Sequence, residues 1–290
     1  MKTLRLLLSL ALSLAAATST TTNAQERNAV FTVNAHDLRY DVPEKKHNAC
    51  DVIGTASEAN DGEATNTDVS HYAPEVSATV RSAIDKVRRL DAVNGIEGAK
   101  FDLQGEITSI TTHTSTRRVK RYDTDNKEYL VLVTNYEASI GVTLTLTEIA
   151  TGQQWTNSFA GNAPWYALPT TEKEAFDDAA EELYKDIIST YNTMFPLVAN
   201  IIEAGNAKKE KQKDVYIDLG QDCGISKGQH FEVFELQNND GIEARKKLGR
   251  IKVEKVMGDK MSHCKVDMGY KEIKKALDDD MMLLVVSINS

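Results

Sequence analysis

Apolar and polar residues alternate along several parts of this chain, and the longest alternating run extends from Tyr129 to Ile149. Apolar residues hold most of its even positions, while polar residues and one glycine hold the odd positions from Asn135 to Thr147. A period of two predicts a long β-strand with one buried face and one hydrated face. Thr151-Gly152 predicts a turn into a second strand, Gln154 to Ala160, so that the two strands form a hairpin.

Two segments show helical spacing instead. The first is predicted to run from about Tyr72 to Leu90, because its apolar residues recur every three or four positions. The second is predicted from Thr170 or Thr171, as the N-cap, to about Met194. The apolar stripe of the first helix consists of Val76, Val80, Ile84 and Val87. Its other positions, which we expect to face solvent, include Arg81, Lys86, Arg88 and Arg89.

The remaining strand predictions fall on both sides of the second helix. Phe101 to Ile107 is predicted to be a short strand. A polar stretch from Thr111 to Glu128 follows, and Ser115 to Lys127 within it is predicted to be a connection. After the helix, Val215–Leu219 and Phe231–Leu236 alternate and flank a loop containing three glycines, which predicts a hairpin with positive φ angles in its loop. Those glycines are Gly220, Gly224 and Gly228, and further strands are predicted at Val198–Ile202, Gly249–Val256, Ser262–Met268 and Met281–Ile288.

The order of these elements predicts an α+β protein with two domains after an export signal. Lys2 and Arg5 precede the short apolar run Leu6–Ala17, a pattern typical of a signal peptide cleaved after Ala24. Residues 25–196 mix helices and strands and predict an α/β domain, whereas residues 197–290 read as all-β and predict a small β-barrel. We therefore expect a periplasmic or secreted protein without a transmembrane helix.

Charge and cysteine content narrow the classes of function. The net charge is −9, and removal of Lys2 and Arg5 with the signal takes it to −11, which disfavours nucleic acid as a partner. Cys223 and Cys264 either form a disulfide or remain buried thiols. His36, His47 and Cys50 are a weak metal-binding hint without zinc-site spacing, so we predict no metal and no cofactor.

Two groups of residues are candidate partner contacts. A basic cluster stands out in this acidic chain and is suited either to dock an acidic partner or surface polymer, or to keep an exposed hairpin arm soluble. Trp165 and Tyr166, between two prolines, form either a small aromatic contact patch or a cap on the core. The basic cluster consists of Arg117, Arg118, Lys120 and Arg121.

Two sequence patterns resemble known families. Phe101-Asp-Leu-Gln-Gly-Glu-Ile-Thr108, followed by Leu144-Thr-Leu-Thr-Glu-Ile-Ala-Thr-Gly-Gln-Gln-Trp155 and a closing helix, resembles the curli secretion channel and penicillin-binding-protein activator superfamily. The segment Asp214–Val285 resembles the C-terminal β-domain of flagellar assembly protein T. The chain departs from these patterns at Glu148, where the first family has Asp, and at Lys274-Lys-Ala-Leu-Asp278.

These resemblances imply a fold and a role. The fold is an anticodon-binding-like α/β sandwich, a mixed sheet with helices on one face, followed by a small β-barrel. The implied role is cell-envelope, secretion or surface-appendage assembly through protein–protein contact, often as an oligomer. Such families carry no catalytic residues that could be transferred to this chain.

The leading hypothesis is therefore an exported, non-enzymatic accessory or scaffold protein. A small-molecule or glycan-binding module that uses Trp165 and Tyr166 is an alternative from another class. A secreted hydrolase is disfavoured, because no serine sits in a Gly-x-Ser-x-Gly elbow. A pore component is a further alternative, because one-sided alternation also suits a membrane strand, but the very polar connection from Ser115 to Lys127 argues against it.

Overall fold

A computed structural model describes residues 28–41, 69–163, 169–239 and 242–288. The predicted signal peptide, His47, Cys50, Trp165 and Tyr166 lie outside this described part. The chain is mixed α/β and divides into two compact units, here called the sheet unit (residues 32–86 and 92–188) and the barrel unit (residues up to 31, 87–91 and 189 onward). Within the described ranges, no helix combines the length and the apolar character needed to cross a membrane.

The sheet unit is built on five strands in the order β2-β1-β3-β4-β5. The first strand runs parallel to the third, and the last three form an antiparallel meander. The predicted pairing of the two strands around Thr151-Gly152 is thereby confirmed. The strands are β1 (Phe31–Ala35), β2 (Leu90–Val93), β3 (Phe101–Tyr122), β4 (Glu128–Glu148) and β5 (Gln154–Asn162).

Two helices accompany this sheet, α1 (Ala73–Lys86) and α2 (Glu172–Met194). The Thr171 hydroxyl accepts from the Glu174 amide over 3.1 Å, and Glu174 accepts in return from the Thr170 amide and hydroxyl. This reciprocal cap explains why α2 begins here, as predicted. The hydrogen bonds from Thr170 also lower the pKa of Glu174.

The core of the sheet unit lies on the predicted face of β4, where Ile140, Val142, Leu144 and Leu146 are buried. On the helices, Tyr72 and Phe176 stack with ring centroids 4.0 Å apart. At Gly161 in β5, an added Cβ would overlap the Ala179 carbonyl oxygen and lie 2.8 Å from Leu183 Cβ. A glycine is therefore required where this strand meets α2.

The barrel unit closes six strands in the order β10-β11-β12-β9-β6-β13. Its interior is filled by aliphatic side chains around the buried Phe231. A short helix, α3 (Tyr270–Asp278), buries Ile273 and Ala276 against this core. The six barrel strands are β6 (Val198–Ala204), β9 (Asp214–Ile217), β10 (His230–Asn239), β11 (Ile242–Val256), β12 (Ser262–Met268) and β13 (Leu283–Ile288). Two short strands, β7 (Ala207–Lys208) and β8 (Lys211–Gln212), pair with each other in a separate two-stranded sheet.

The predicted hairpin between Asp214 and Glu235 is wrong. β9 pairs with β12 and β6, and β10 pairs with β11 and β13, so these consecutive strands are not neighbours in the barrel. Gly224 and Gly228 do adopt positive φ angles, whereas Gly220 is extended and packs against the Asp259 backbone. The loop glycines thus shape a barrel crossover and not a tight strand connection.

Three further expectations also change. The reading of the C-terminal part as all-β missed α3, and the polar stretch that begins at Thr111 continues β3 to Tyr122. Of the two alternatives left open for the cysteines, the structure has free thiols at Cys223 and Cys264, and burial raises the pKa of Cys264 to about 12. Arg89 is not solvated. It is only 5% exposed and donates to the carbonyl oxygens of Ala29 and Pro196 over 3.3 and 3.2 Å.

Candidate functional site

The basic cluster lies on a two-stranded projection of the β3–β4 hairpin. β5 pairs with β4 only from Ser139 to Thr147, and β1 pairs with β3 only near Phe101–Leu103. Residues 113–137, here called the β-arm, contain ten register pairs from His113↔Glu137 to Tyr122↔Glu128. In the described part of the chain, no other strand pairs with the β-arm. Ten extended residues span about 33 Å, so the β-arm is a long ribbon.

The end of the β-arm is an ordered turn. Asp123 Oδ1 accepts from the backbone amides of Asp125 and Lys127 over 2.9 and 2.8 Å. Asn126 adopts a φ of 61°, a left-handed conformation that asparagine tolerates better than most residues. The Asp123 and Lys127 backbones also pair across the turn, at 3.1 Å. The sequence from Asp123 to Lys127 thus closes the hairpin with turn chemistry of its own.

Apolar side chains at the end of the β-arm are exposed. Leu130 is 59% exposed and Leu132 is 67% exposed, and the rings of Tyr122 and Tyr129 are similarly open to solvent. The same even positions farther along β4, such as Leu144, are completely buried. The apolar alternation of β4 therefore continues beyond the residues that form the core. Burial in the core does not explain why Leu130 and Leu132 are apolar.

Cations accompany these apolar residues on both faces of the ribbon. Opposed residues share a face, so Arg118 lies beside Leu132 and Arg121 lies beside Tyr129. Lys120 Nζ forms an exposed ion pair with Glu128 Oε1 at 2.8 Å. Arg117 opposes Val133 in the backbone register. Residues 117–133 contain five Lys or Arg and three Asp or Glu, a net charge of +2 in a chain of −9.

A second feature of the sheet unit is a polar pocket of about 730 Å³. It lies where the end of β1 meets the first residues of β3, beside α1 and the loop after β2. Asp102 is one of its lining residues and makes several polar contacts. Its Oδ1 accepts from Asn34 Nδ2 over 2.7 Å and lies 2.8 Å from His36 Nε2, and its Oδ2 accepts from Gln104 Nε2 over 2.9 Å.

This network holds Asp102 as a carboxylate. Burial acts to raise the pKa of Asp102, but the hydrogen bonds from Gln104, Asn34 and His36 outweigh it and leave the pKa below its usual value. Asn34 is itself only 5% exposed, and its Oδ1 accepts from the Gly95 amide over 2.9 Å. Among the described residues, no group of three or more His, Cys, Asp or Glu is arranged to hold a metal ion.

Arg81 completes the pocket and was wrongly expected to lie on a solvated helix face. Its guanidinium donates to Asn94 Oδ1 and to the Ala35 carbonyl oxygen, each over 2.5 Å. Sequence reasoning missed this pocket, because Asn34 and Asp102 become neighbours only through the parallel pairing of β1 and β3. The available signal was the polar alternation Asn34-x-His36 and Asp102-x-Gln104 on two short strands.

The six residues predicted as partner contacts therefore separate into two groups. The structure places the four basic residues together on the β-arm, while Trp165 and Tyr166 lie outside the described residues. In comparisons with known proteins, no protein-family model matches this chain, and no curated protein matches it.

Proposed function

We propose that this chain is an exported, non-enzymatic accessory protein of cell-envelope assembly that docks on an acidic surface of a partner protein through its β-arm. The observation that carries this proposal is the exposure of Leu130 and Leu132 among cations at the end of an ordered ribbon. Apolar surface that no core covers is typical of interaction sites.

The free edges and the ordered turn of the β-arm support the same proposal. A two-stranded hairpin is only marginally stable in water by itself, and its free edges invite pairing with another chain. The turn at Asp123 orders its end, so the β-arm is prepared to bind with little loss of conformational freedom. A partner that covers both faces would bury the leucines and neutralise the arginines.

The charge distribution favours an acidic partner. Residues 117–133 carry a net +2, while the whole chain carries −9. Opposite charge on the partner accelerates association and disfavours wrong partners. The resemblance to envelope-assembly families supports periplasmic or secreted location and action through protein contact. The mixed sheet and the closed barrel support the anticodon-binding-like sandwich and flagellar-assembly-like domain as the detailed fold.

The test begins with site-specific photocrosslinking in the envelope fraction. A photoreactive residue at Leu132 should capture a partner, while one at Ile202, a 52% exposed barrel position, should not. The captured protein is then purified and its affinity for the full chain is measured. The affinity should fall as salt is raised, since exposed charges are screened.

Charge reversal then separates the β-arm from the rest of the surface. Arg118→Glu with Arg121→Glu should weaken the complex at least tenfold, because two attractive charges become repulsive. Lys252→Glu with Lys255→Glu, on two exposed barrel positions, reverses the same number of charges and should leave the affinity unchanged. Equal binding by the reversed variant and the native chain would refute docking through the β-arm.

A further inference from the structure

The pocket around Asp102 has the volume of a small-ligand site, and hydrogen bonds join several of the polar groups that line it. Its volume of about 730 Å³ lies within the range of protein ligand pockets, roughly 300–1,000 Å³. Asn34, Gly95, Asp102 and Gln104 are fixed by mutual hydrogen bonds of 2.7–2.9 Å. The polar groups therefore hold their positions before a ligand arrives, which reduces the entropy lost on binding.

Apart from His36, one guanidinium and two carboxylates line the pocket, so an anion and a cation would each meet a like charge there. Arg81 donates to neutral oxygens of Asn94 and Ala35 and, among the described residues, forms no ion pair with a carboxylate. The carboxylates of Asp37 and Asp102 also line the pocket. A phosphate-like dianion would meet these two carboxylates, and an apolar ligand would strip water from polar groups without replacing their hydrogen bonds.

We infer that this pocket binds a neutral, hydroxyl-rich ligand, namely a saccharide unit. Each sugar hydroxyl both donates and accepts, and the pocket offers both functions from planar side chains. Asp102 accepts, Arg81 donates, and the Gln104 and Asn94 amides can do either. Ile96, which lines the same pocket and is 61% exposed, supplies an apolar surface for the C–H face of a pyranose ring.

This inference does not depend on the β-arm. It also differs from the glycan-binding alternative predicted at Trp165 and Tyr166, because it rests on residues of β1, α1 and β3. A free sugar and the end of a longer glycan present the same hydroxyl chemistry. The experiment therefore includes both sources.

The first measurement is a titration of the isotope-labelled full chain, followed by amide NMR shifts. Glucose, galactose, N-acetylglucosamine and maltose are added separately, each to millimolar concentration. We expect at least one saccharide to shift the amides of residues 34–37, 94–96 and 102–104. An immobilised glycan array, probed with the same protein, then distinguishes binding to chain ends from binding to free sugars.

Variants assign the binding to the pocket. Asp102→Asn and Arg81→Gln should each weaken saccharide binding about tenfold or more, because each removes a charged hydrogen-bonding partner. Gln104→Ala changes an exposed side chain, so it tests the contribution of the pocket to saccharide binding even where a substitution at a buried position disturbs folding. Lys86→Gln removes a charge from an exposed position of the same helix and should bind normally.

Three outcomes would overturn the inference. One is the absence of any saccharide-induced shift together with an array that shows no binding. Another is binding that all three pocket variants retain. The third is a response to the zwitterionic probe glycylglycine in place of saccharides, which would reassign the pocket to charged ligands.

Discussion

Replacing Leu132 with serine should leave the folded state of the free protein nearly intact. Leu132 is 67% exposed, so folding removes only about one third of its surface from water. Full burial of a leucine contributes about 1.5–3 kcal/mol, and one third of this is about 0.5–1 kcal/mol. Leu144 lies on the same face of the same strand but is fully buried, so Leu144→Ala should cost about 2–5 kcal/mol.

Binding should show the opposite sensitivity. A partner that covers the β-arm would remove the remaining two thirds of the Leu132 surface from water, which is about 1–2 kcal/mol. Leu132→Ser should therefore weaken the complex by about 5- to 30-fold. The variant would separate the two roles, because it loses more free energy on binding than on folding.

Urea unfolding followed by tryptophan fluorescence measures the first part of this prediction. Trp155 lies in β5 of the sheet unit, and residues 189–290 contain no tryptophan. The signal thus reports the unit that carries the β-arm, even if the two units unfold separately. A loss for Leu132→Ser equal to that for Leu144→Ala would show that the β-arm is packed in the free protein, and the reasoning would be wrong.

Three further variants test other parts of the fold. Gly161→Ala should destabilise the sheet unit by about 1–3 kcal/mol in the same urea assay, because its Cβ would overlap the α2 backbone; no loss would contradict this close approach. Arg89→Met should destabilise the barrel unit by about 2–4 kcal/mol in urea unfolding followed by circular dichroism, because two carbonyl oxygens lose a charged donor. Burial acts to raise the pKa of Asp214, but hydrogen bonds from Asn206 and His263 lower this pKa overall. The ionised Asp214 therefore stabilises the folded protein fully above the unfolded-state pKa of about 3.9. This stabilisation is lost as the pH falls through the lower pKa of Asp214 in the folded protein. Asp214→Asn should therefore be less stable than the native chain at neutral pH, and a difference that persists undiminished at the lowest pH would contradict this assignment.

Regular alternation made β4 and its buried face predictable from sequence. Residues such as Leu144 and Leu146 recur at period two, and Thr151-Gly152 marks the turn to the next strand. The outer part of β3 was not predictable in this way, because threonines and arginines from Thr111 onward show no apolar period. It becomes a strand because every residue from Thr111 to Tyr122 has a register partner in β4.

The pocket could not be predicted from the sequence for a different reason. Helical periodicity identifies the residues of α1 that enter the core, but it does not distinguish solvent from a polar neighbour. Arg81 could therefore be assigned only to the non-core face, although it donates to the Ala35 backbone. The neighbouring position of Asn34 and Asp102 depends on a parallel pairing across 68 residues of sequence, which no local pattern determines.

The pocket and the β-arm share one strand but remain physically independent. β3 contributes Asp102 and Gln104 to the pocket near its beginning, and Arg118 and Lys120 to the β-arm near its end. Arg118 lies fourteen positions after Gln104 on the extended strand, a distance of about 46 Å. Free-energy effects of substitutions more than about 10 Å apart usually add, so a change in the pocket does not by itself alter the arm. A chain that failed to bind saccharides would still leave docking through the β-arm intact, and the reverse also holds, because no side chain belongs to both features.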